Sequence, residues 1–496
     1  ISLTQFSSFN KDLSMSALSS FFKFNYIPTP QTIYKSTFKC PPGKFICIDL
    51  NSFLFNKTYE CFDDIFLDQG ALIDDYWSSF PLLNQSELLV EDFNQASLRL
   101  EDIISKSVKD QLISDMPIGA FLSGGIDSSL ITALMQKENM DKVKTFTIGF
   151  EDKRYDESSY AREVANHLGT NHTELILSQD DVINIIPNLS KIYSEPFADS
   201  SQIPTLLVSK LAKSEVSVAL SGDGGDELFG GYNRYFLAPT VWSILKKFPY
   251  SIRSFGADIF LSSPNFLKSI ENTSRFFYKK TPVQLVEKIQ SLSSKVKNIK
   301  TEKDLFISLI SGYEDLSELL NFRSKPQSYA YNDEIWSNSS LSFQEKMMFL
   351  DMITYLPDDI MCKVDRASMA FSLESRAPFL HQDVVEASYK IPTEYKIKNK
   401  NGKHILRNIL YKYVPKDLIE RPKQGFGIPL DEWIKGPLKD DFYESISDEN
   451  LSHNLINKSM VKKMLDDHID GKRNWQNQLW AIHSFQNWFY ENKINS

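Results

Sequence analysis

An α/β fold built on a doubly wound parallel sheet is predicted by two observations in this 496-residue chain. Between about residues 115 and 235, short apolar β-branched runs alternate with segments of helical periodicity, as strands do when helices cover both faces of a sheet. Two of these strands end in glycine-rich turns that lead into helices: Ser123-Gly124-Gly125-Ile126-Asp127-Ser128 and Ser221-Gly222-Asp223-Gly224-Gly225-Asp226. Elsewhere helical periodicity dominates residues 237–345 and 400–496, so additional helical segments are expected around the sheet.

Residues 1 to about 90 are irregular. Leu18–Phe24 has the spacing of a short helix, and the prolines at 28 and 30 keep the chain before them extended. Pro41-Pro42-Gly43 is a turn ahead of the strand-like run Phe45–Ile48. Residues 91–113 carry apolar positions at helical spacing. The alternation then begins. Ile118–Leu122 reads as a strand and Ser128–Met135 as a helix. Val143–Phe150 is a strand, and Tyr160–Leu168 is a helix stopped by Gly169. Thr173–Leu177 is a strand, Pro204–Ala212 a helix and Val216–Leu220 a strand. The tail bearing Trp475, Trp480, Phe485, Trp488, Phe489 and Tyr490 is expected to be a core-packing terminal helix.

Composition excludes several classes. The chain carries 55 basic and 64 acidic residues for a net charge of −9, and no Lys/Arg run reverses that balance. A nucleic-acid partner is therefore not expected, and a triphosphate would have to be met by a local basic cluster and a metal. Cys40, Cys47, Cys61 and Cys362 show no CxxC spacing. Neither a zinc ribbon nor a disulfide framework is suggested, and a reducing, cytoplasmic compartment is expected. No apolar run approaches the length of a membrane span. The N-terminus has no signal-peptide pattern, and its start at Ile1 in place of Met points to upstream sequence that was removed or not recorded.

The two turns carry the chemistry. Ligands of open α/β sheets bind outside the carboxyl ends of the strands. Gly124 and Gly125 can take positive φ and let backbone approach a ligand. Ser123, Ser128 and Ser129 supply hydroxyls, and the next helix supplies free N–H groups and a positive dipole end. Asp127 adds negative charge to this anion nest, which makes sense if it holds Mg²⁺. Asp226 can serve the same ion from the second turn. The motif GxxxxGK[ST] is absent, and Glu227 occupies the third glycine position of GxGxxG in the second turn, so neither standard phosphate motif applies. The plain alternative is two βα turns without a ligand.

The sequence Ser123 to Ser128 after a strand resembles the pyrophosphate loop of the N-type ATP pyrophosphatases. From about residue 15 to the C-terminus the chain resembles the synthetase portion of the glutamine-hydrolysing asparagine synthetases. Phe146–Phe150, Glu195–Ser201, Ser221–Glu227, Lys363–Ala370, Ser372–Leu380, Lys403–Arg407 and Arg421–Gly427 carry the likeness in order. It implies a sheet of the adenine nucleotide alpha hydrolase-like (PP-loop) type. It also implies a carbon–nitrogen ligase that converts aspartate to asparagine through β-aspartyl-AMP, releasing AMP and pyrophosphate.

By the same resemblance Lys403 is the catalytic cation and Asp223 the base that takes a proton from the attacking nitrogen. Leu122, Ile148, Ser221 and Gly222 surround adenine and ribose. Ser123, Gly124, Gly125 and Ser128 hold phosphate, and Asp127 with Asp226 holds Mg²⁺. Asp365, Glu374 and Arg376 bind the amino acid, and Lys423 offers a second cation. His381 stands where the family usually has Asp and is read as non-catalytic.

The family's glutaminase domain uses an N-terminal cysteine, yet the first cysteine here is Cys40. Residues 1–90 are accordingly expected to be a linker region after a missing glutaminase domain, and residues 91–496 the synthetase domain. The chain is expected to use free ammonia, with glutamine as donor when a glutaminase domain is present, and to form the family's homodimer. Two alternatives stay open: a related synthetase that amidates or cyclises another carboxylate, such as a sugar acid or β-lactam precursor, and a non-catalytic partner protein with a nucleotide fold.

Overall fold

The structure is a computed structural model that describes residues 3–52, 58–67, 70–84, 91–255, 296–420, 427–447 and 451–492. Lys423 and most of the Arg421–Gly427 segment lie outside the described residues. Helix α1 (Met15–Phe24) starts where the Ser14 side chain accepts the Ala17 N–H, and its buried residues include Phe21, Phe22 and Phe24. An antiparallel hairpin follows, formed by β1 (Lys44–Ile48) and β2 (Ala71–Asp75), with Ile46 opposite Ile73. Helix α2 (Phe93–Gln111) opens with a capping box between Asp92 and Gln95, which satisfies N–H groups the first turn leaves over.

The expected sheet follows. Strands β3 (Ile118–Phe121), β4 (Lys144–Phe150), β5 (Asn171–Leu177), β6 (Val218–Leu220) and β7 (Glu374–Arg376) lie in the spatial order β5-β4-β3-β6-β7. Each neighbouring pair is parallel. Helices α3 (Ile126–Glu138) and α4 (Ser158–Leu168) connect the first strands. Gly169 ends α4 in the left-handed conformation at φ +72°, as its position predicted. Strand β7 was not expected; its three residues were read as part of a binding segment.

Sheet pleating divides the core in two. Phe146, Ile148 and Ala219 join a cluster with α1, the helix Gln202–Lys213 and the terminal helix Gln476–Glu491. Ala120, Leu122 and Leu220 join the other, with α2, α3 and the helices Phe343–Ile353 and His404–Leu410. Ala219 and Leu220 are successive residues on opposite faces, as a strand requires. In the terminal helix Trp480, Phe485 and Trp488 are fully buried, so the aromatic tail is core.

His381 precedes the helix Gln382–Lys390, and its Nδ1 accepts the Asp383 N–H at 3.3 Å. The ring thus does for this helix what an aspartate does at an N-cap, and the local turn is kept despite the replacement.

Candidate functional site

The strand order reverses between β3 and β6. Their carboxyl ends are neighbours, while the next connections leave in opposite directions, and such a crevice is where open α/β sheets take ligands. Both glycine-rich turns emerge there and line one cavity of about 460 Å³.

The first turn is held by its own serines. The Ser123 N–H donates to Ser128 Oγ at 3.2 Å, the two hydroxyls are 3.0 Å apart, and the Gly125 N–H donates to Ser123 Oγ at 3.3 Å. Gly124 has the expected positive φ, +70°. Gly125 does not: at φ −77° it is extended and serves as the N-cap residue of α3. The second turn crosses the first closely. A Cβ at Gly222 would lie 2.8 Å from both the Ser128 nitrogen and the Asp127 Cβ, so only glycine lets the two turns meet.

Lys403 comes from far along the chain to the same point. It precedes the helix His404–Leu410 in the left-handed conformation, φ +56°, which costs a non-glycine residue about 1–2 kcal/mol. Its N–H donates to the Phe229 carbonyl at 3.0 Å. A Cβ at Gly231 would strike both Asp226 and Lys403 Cε, so the side chain runs along bare backbone. The ammonium is 5% exposed for the residue as a whole, pairs with Asp226 Oδ1 at 2.6 Å and also bonds Asp127 Oδ2. Burial opposes its charge, but the two carboxylates outweigh burial and raise its pKa above the ordinary lysine value.

Asp127 and Asp226 therefore face one point from adjacent strand ends. Two carboxylates beside open backbone turns form the donor set that Mg²⁺ takes from a protein when substrate phosphates supply the rest, so the residues fit that ion. No group of three or more His, Cys, Asp or Glu side chains suited to a metal occurs among the described residues.

Leu122, Ile148, Ser221 and Asp223 also line the cavity. Burial raises the Asp223 carboxyl above the usual carboxylate range, with the Ser221 hydroxyl pulling the other way. The turn residues Ser123, Gly124, Gly125, Ser128 and Gly222 line it as well.

Three expected residues are not brought to this place. Asp365 and Glu374 are exposed, and neither they nor Arg376 lines the cavity. Arg376 Nη1 donates to the carbonyls of Gln111 and Ile113 at 2.6 and 2.9 Å, and its Nε pairs with Glu374 at 2.6 Å. It is the last residue of β7, and its guanidinium ties that edge strand to the end of α2. The expectation that this trio holds an amino acid finds no support in the lining of this cavity.

Residues not singled out from the sequence take their place. Glu227 lines the cavity, accepts the Tyr232 hydroxyl at 2.6 Å, and is pushed up to about 8 by burial and the Asp226 charge. Lys363 lines it too, and donates to Asp199 Oδ2 at 2.5 Å and Ser201 Oγ at 2.7 Å. Both lie in segments that carried the family resemblance, so membership of a motif was the available signal. In all, the cations Lys363, Lys400, Lys403 and Arg407 and the acids Asp127, Glu157, Asp223, Asp226 and Glu227 line the cavity.

An open parallel sheet with two glycine-rich anion turns at its switch point defines a nucleotide-binding α/β domain of the PP-loop class. The chain belongs to the asparagine synthase family, whose model matches residues 99–490. It is 30% identical over 479 residues to asparagine synthetase [glutamine-hydrolyzing] 1 of Bacillus subtilis (strain 168), covering 96% of this chain and 69% of that protein. It is 35% identical over 170 residues to asparagine synthetase B [glutamine-hydrolyzing] of Escherichia coli (strain K12), which covers 31% of this chain and 29% of that one. With asparagine synthetase [glutamine-hydrolyzing] 3 of Arabidopsis thaliana the identity is 38% over 156 residues, 29% of this chain and 26% of the relative. Membership assigns the chain, at the level of the family, to the ATP-using amide ligases of asparagine and amino-acid biosynthesis. All four cysteines are free thiols, and no helix among the described residues is long and apolar enough to cross a membrane.

Proposed function

We propose that this chain, as the synthetase domain of residues 91–496, converts aspartate to asparagine in two steps at the sheet's switch point. The side-chain carboxylate of aspartate attacks the α-phosphorus of ATP, the bond to the β-phosphate oxygen breaks, and pyrophosphate leaves. Ammonia then attacks the acyl carbon of β-aspartyl-AMP, AMP departs, and one proton is released. The observation that carries this reading is the convergence of the Ser123–Ser128 turn, Lys403 and Asp223 on one cavity.

Each group has work suited to its surroundings. The turn and the start of α3 offer N–H and O–H donors to phosphate oxygens. Lys403, charged at any physiological pH, stabilises negative charge developing on the departing pyrophosphate; a buried cation fixed in place loses nothing to reorganisation. Leu122 and Ile148 give adenine an apolar wall, beside Ser221 and Gly222. Asp223, whose carboxyl is raised toward neutrality by burial, accepts the proton from the attacking nitrogen. Asp127 and Asp226 would hold Mg²⁺, which would supply further positive charge beside the phosphates.

The nitrogen donor for this chain is free ammonia, and glutamine serves where a glutaminase domain supplies it. The protein works in the cytoplasm, as free exposed thiols at Cys40, Cys47 and Cys61 suit a reducing compartment. AMP formation with ATP, Mg²⁺ and aspartate tests the reading, with ammonium or glutamine as nitrogen source. Asparagine should appear with ammonium. Aspartate-independent AMP formation, or none with any nitrogen source, sinks the proposal.

A further inference from the structure

One buried charge on the cavity wall has no part in the chemistry above. Lys363, 7% exposed, lies on the helix Cys362–Met369 directly after a π-helical turn, Leu356–Met361. Its ammonium has three N–H groups. Asp199 and Ser201 take two of them, and no third acceptor is found among the described residues. Asp199 is itself fully engaged, since its carboxylate also accepts the Ser201 N–H at 2.9 Å and the Ser201 hydroxyl at 2.8 Å. Burial opposes ionisation of Asp199, yet Lys363 brings it down to about 2. Neighbouring Asp359 is driven the other way, well above the usual carboxylate range, by burial and by the Asp199 charge. Burial thus disfavours a second charged carboxylate beside the Asp199–Lys363 pair, and an incoming carboxylate finds one unused N–H on a cation.

Position tells which carboxylate. Lys363 shares the cavity with Ser201 and Thr205 and is close enough to Asp223 for each to shift the other's ionisation. It therefore lies at the Asp223 end of the cavity, which the proposed mechanism gives to the nitrogen, while phosphates have the Ser123–Ser128 turn and Lys403. Arg376, the cation the sequence suggested for this duty, is spent on backbone carbonyls elsewhere.

We propose that Lys363, held by Asp199 and Ser201, is the specificity residue for the acid: its remaining N–H binds the α-carboxylate of an α-amino dicarboxylic acid. This rests on the adenylation reading and adds to it the group that tells aspartate from a plain carboxylic acid.

The test compares two probes, L-aspartate and β-alanine, which is aspartate without its α-carboxylate. ATP–pyrophosphate exchange is measured with each for the wild-type chain and Lys363→Met. The wild type should favour aspartate in kcat/KM by roughly 10- to 100-fold, the worth of a hydrogen bond to a charged group. In K363M that ratio should fall toward one, with the KM for ATP and the exchange with β-alanine changed less than about threefold. A ratio kept at the wild-type value, or an equal loss with both acids, overturns the assignment and leaves Lys363 a structural ion pair. If K363M does not fold, the double variant Asp199→Asn/Lys363→Met removes both buried charges together, and the same two ratios decide. Failure of the wild type to exchange with either acid overturns the adenylation reading itself, and the Lys363 assignment with it.

Discussion

Lys403 is where residue chemistry is sharpest. A lysine between two carboxylates on strained backbone is built for one position, and its charge is set by Asp127 and Asp226 more than by solvent. Lys403→Ala should lower kcat for AMP formation by about 10²–10³-fold, with a smaller change in the KM for aspartate. Lys403→Arg should not restore it, because a planar guanidinium cannot take the place of a compact ammonium between two fixed carboxylates. Near-wild-type kcat in either variant would remove Lys403 from the reaction. From the sequence alone this residue reads as a surface charge, and only resemblance to the Lys403–Arg407 segment marks it. Arg376 shows the converse. Its neighbours in sequence match a family motif, but which carbonyls a guanidinium reaches depends on β7 lying beside the end of α2, 265 residues away in sequence. Lys363 was legible as a motif member and illegible as a cavity residue for the same reason.

At the level of elements the chain is easier to read. Caps and stops act locally, so α4 ends at Gly169 where the sequence puts its stop, and α2 (capped by Asp92) falls within the 91–113 stretch of helical spacing. Strand β7 is short and polar, and nothing in Glu374-Ser375-Arg376 has strand periodicity; it is a strand because β6 offers an open edge. The π-helical turn Leu356–Met361 is equally hidden, since its wider winding has no apolar repeat to announce it. The packing of the two glycine-rich turns is the element contact most exposed to test. Gly222→Ala would push a methyl group against the Ser128 nitrogen and Asp127. Overpacking of this kind costs about 1–3 kcal/mol. The melting temperature should drop, and the KM for ATP should rise about tenfold as the first turn is displaced. An unchanged KM for ATP would show that the turn does not hold the nucleotide.

Over the whole molecule, stability depends on parts far from the cavity. His483 of the terminal helix is 7% exposed, stacks on Phe442 at 4.5 Å between ring centroids, and sits 2.9 Å from Asn487 Nδ2. Burial brings its pKa down to about 4 from 6.5. Between these values the unfolded chain binds a proton that the folded one does not, so stability rises with pH through this window. The contribution is complete above pH 6.5 and is lost as pH falls to 4, by up to about 3 kcal/mol. Urea midpoints at pH 7.5 and 4.5 should therefore diverge less in His483→Phe than in the wild type. Equal divergence would assign the acid sensitivity to other groups. None of this was visible in the sequence, where His483 is one of seven histidines without metal spacing; the burial that lowers its pKa comes from helices brought together only by folding.

The two-faced core also governs the order in which a newly made chain can finish. Lys403 reaches Asp127 across 276 residues, and the apolar cluster that takes in Phe146 and Ile148 is completed by the helix Gln476–Glu491, far downstream of the sheet. Long-range closure of this kind comes late and slowly. On the ribosome, α3 and β3 to β6 emerge before that helix, and the cluster lacks Trp480, Phe485 and Trp488 until the helix is made. The nascent protein is then a client for chaperones that cover apolar surface, and a stop codon before residue 476 leaves the Ser123–Ser128 turn and Lys403 in place without the helix that completes the cluster.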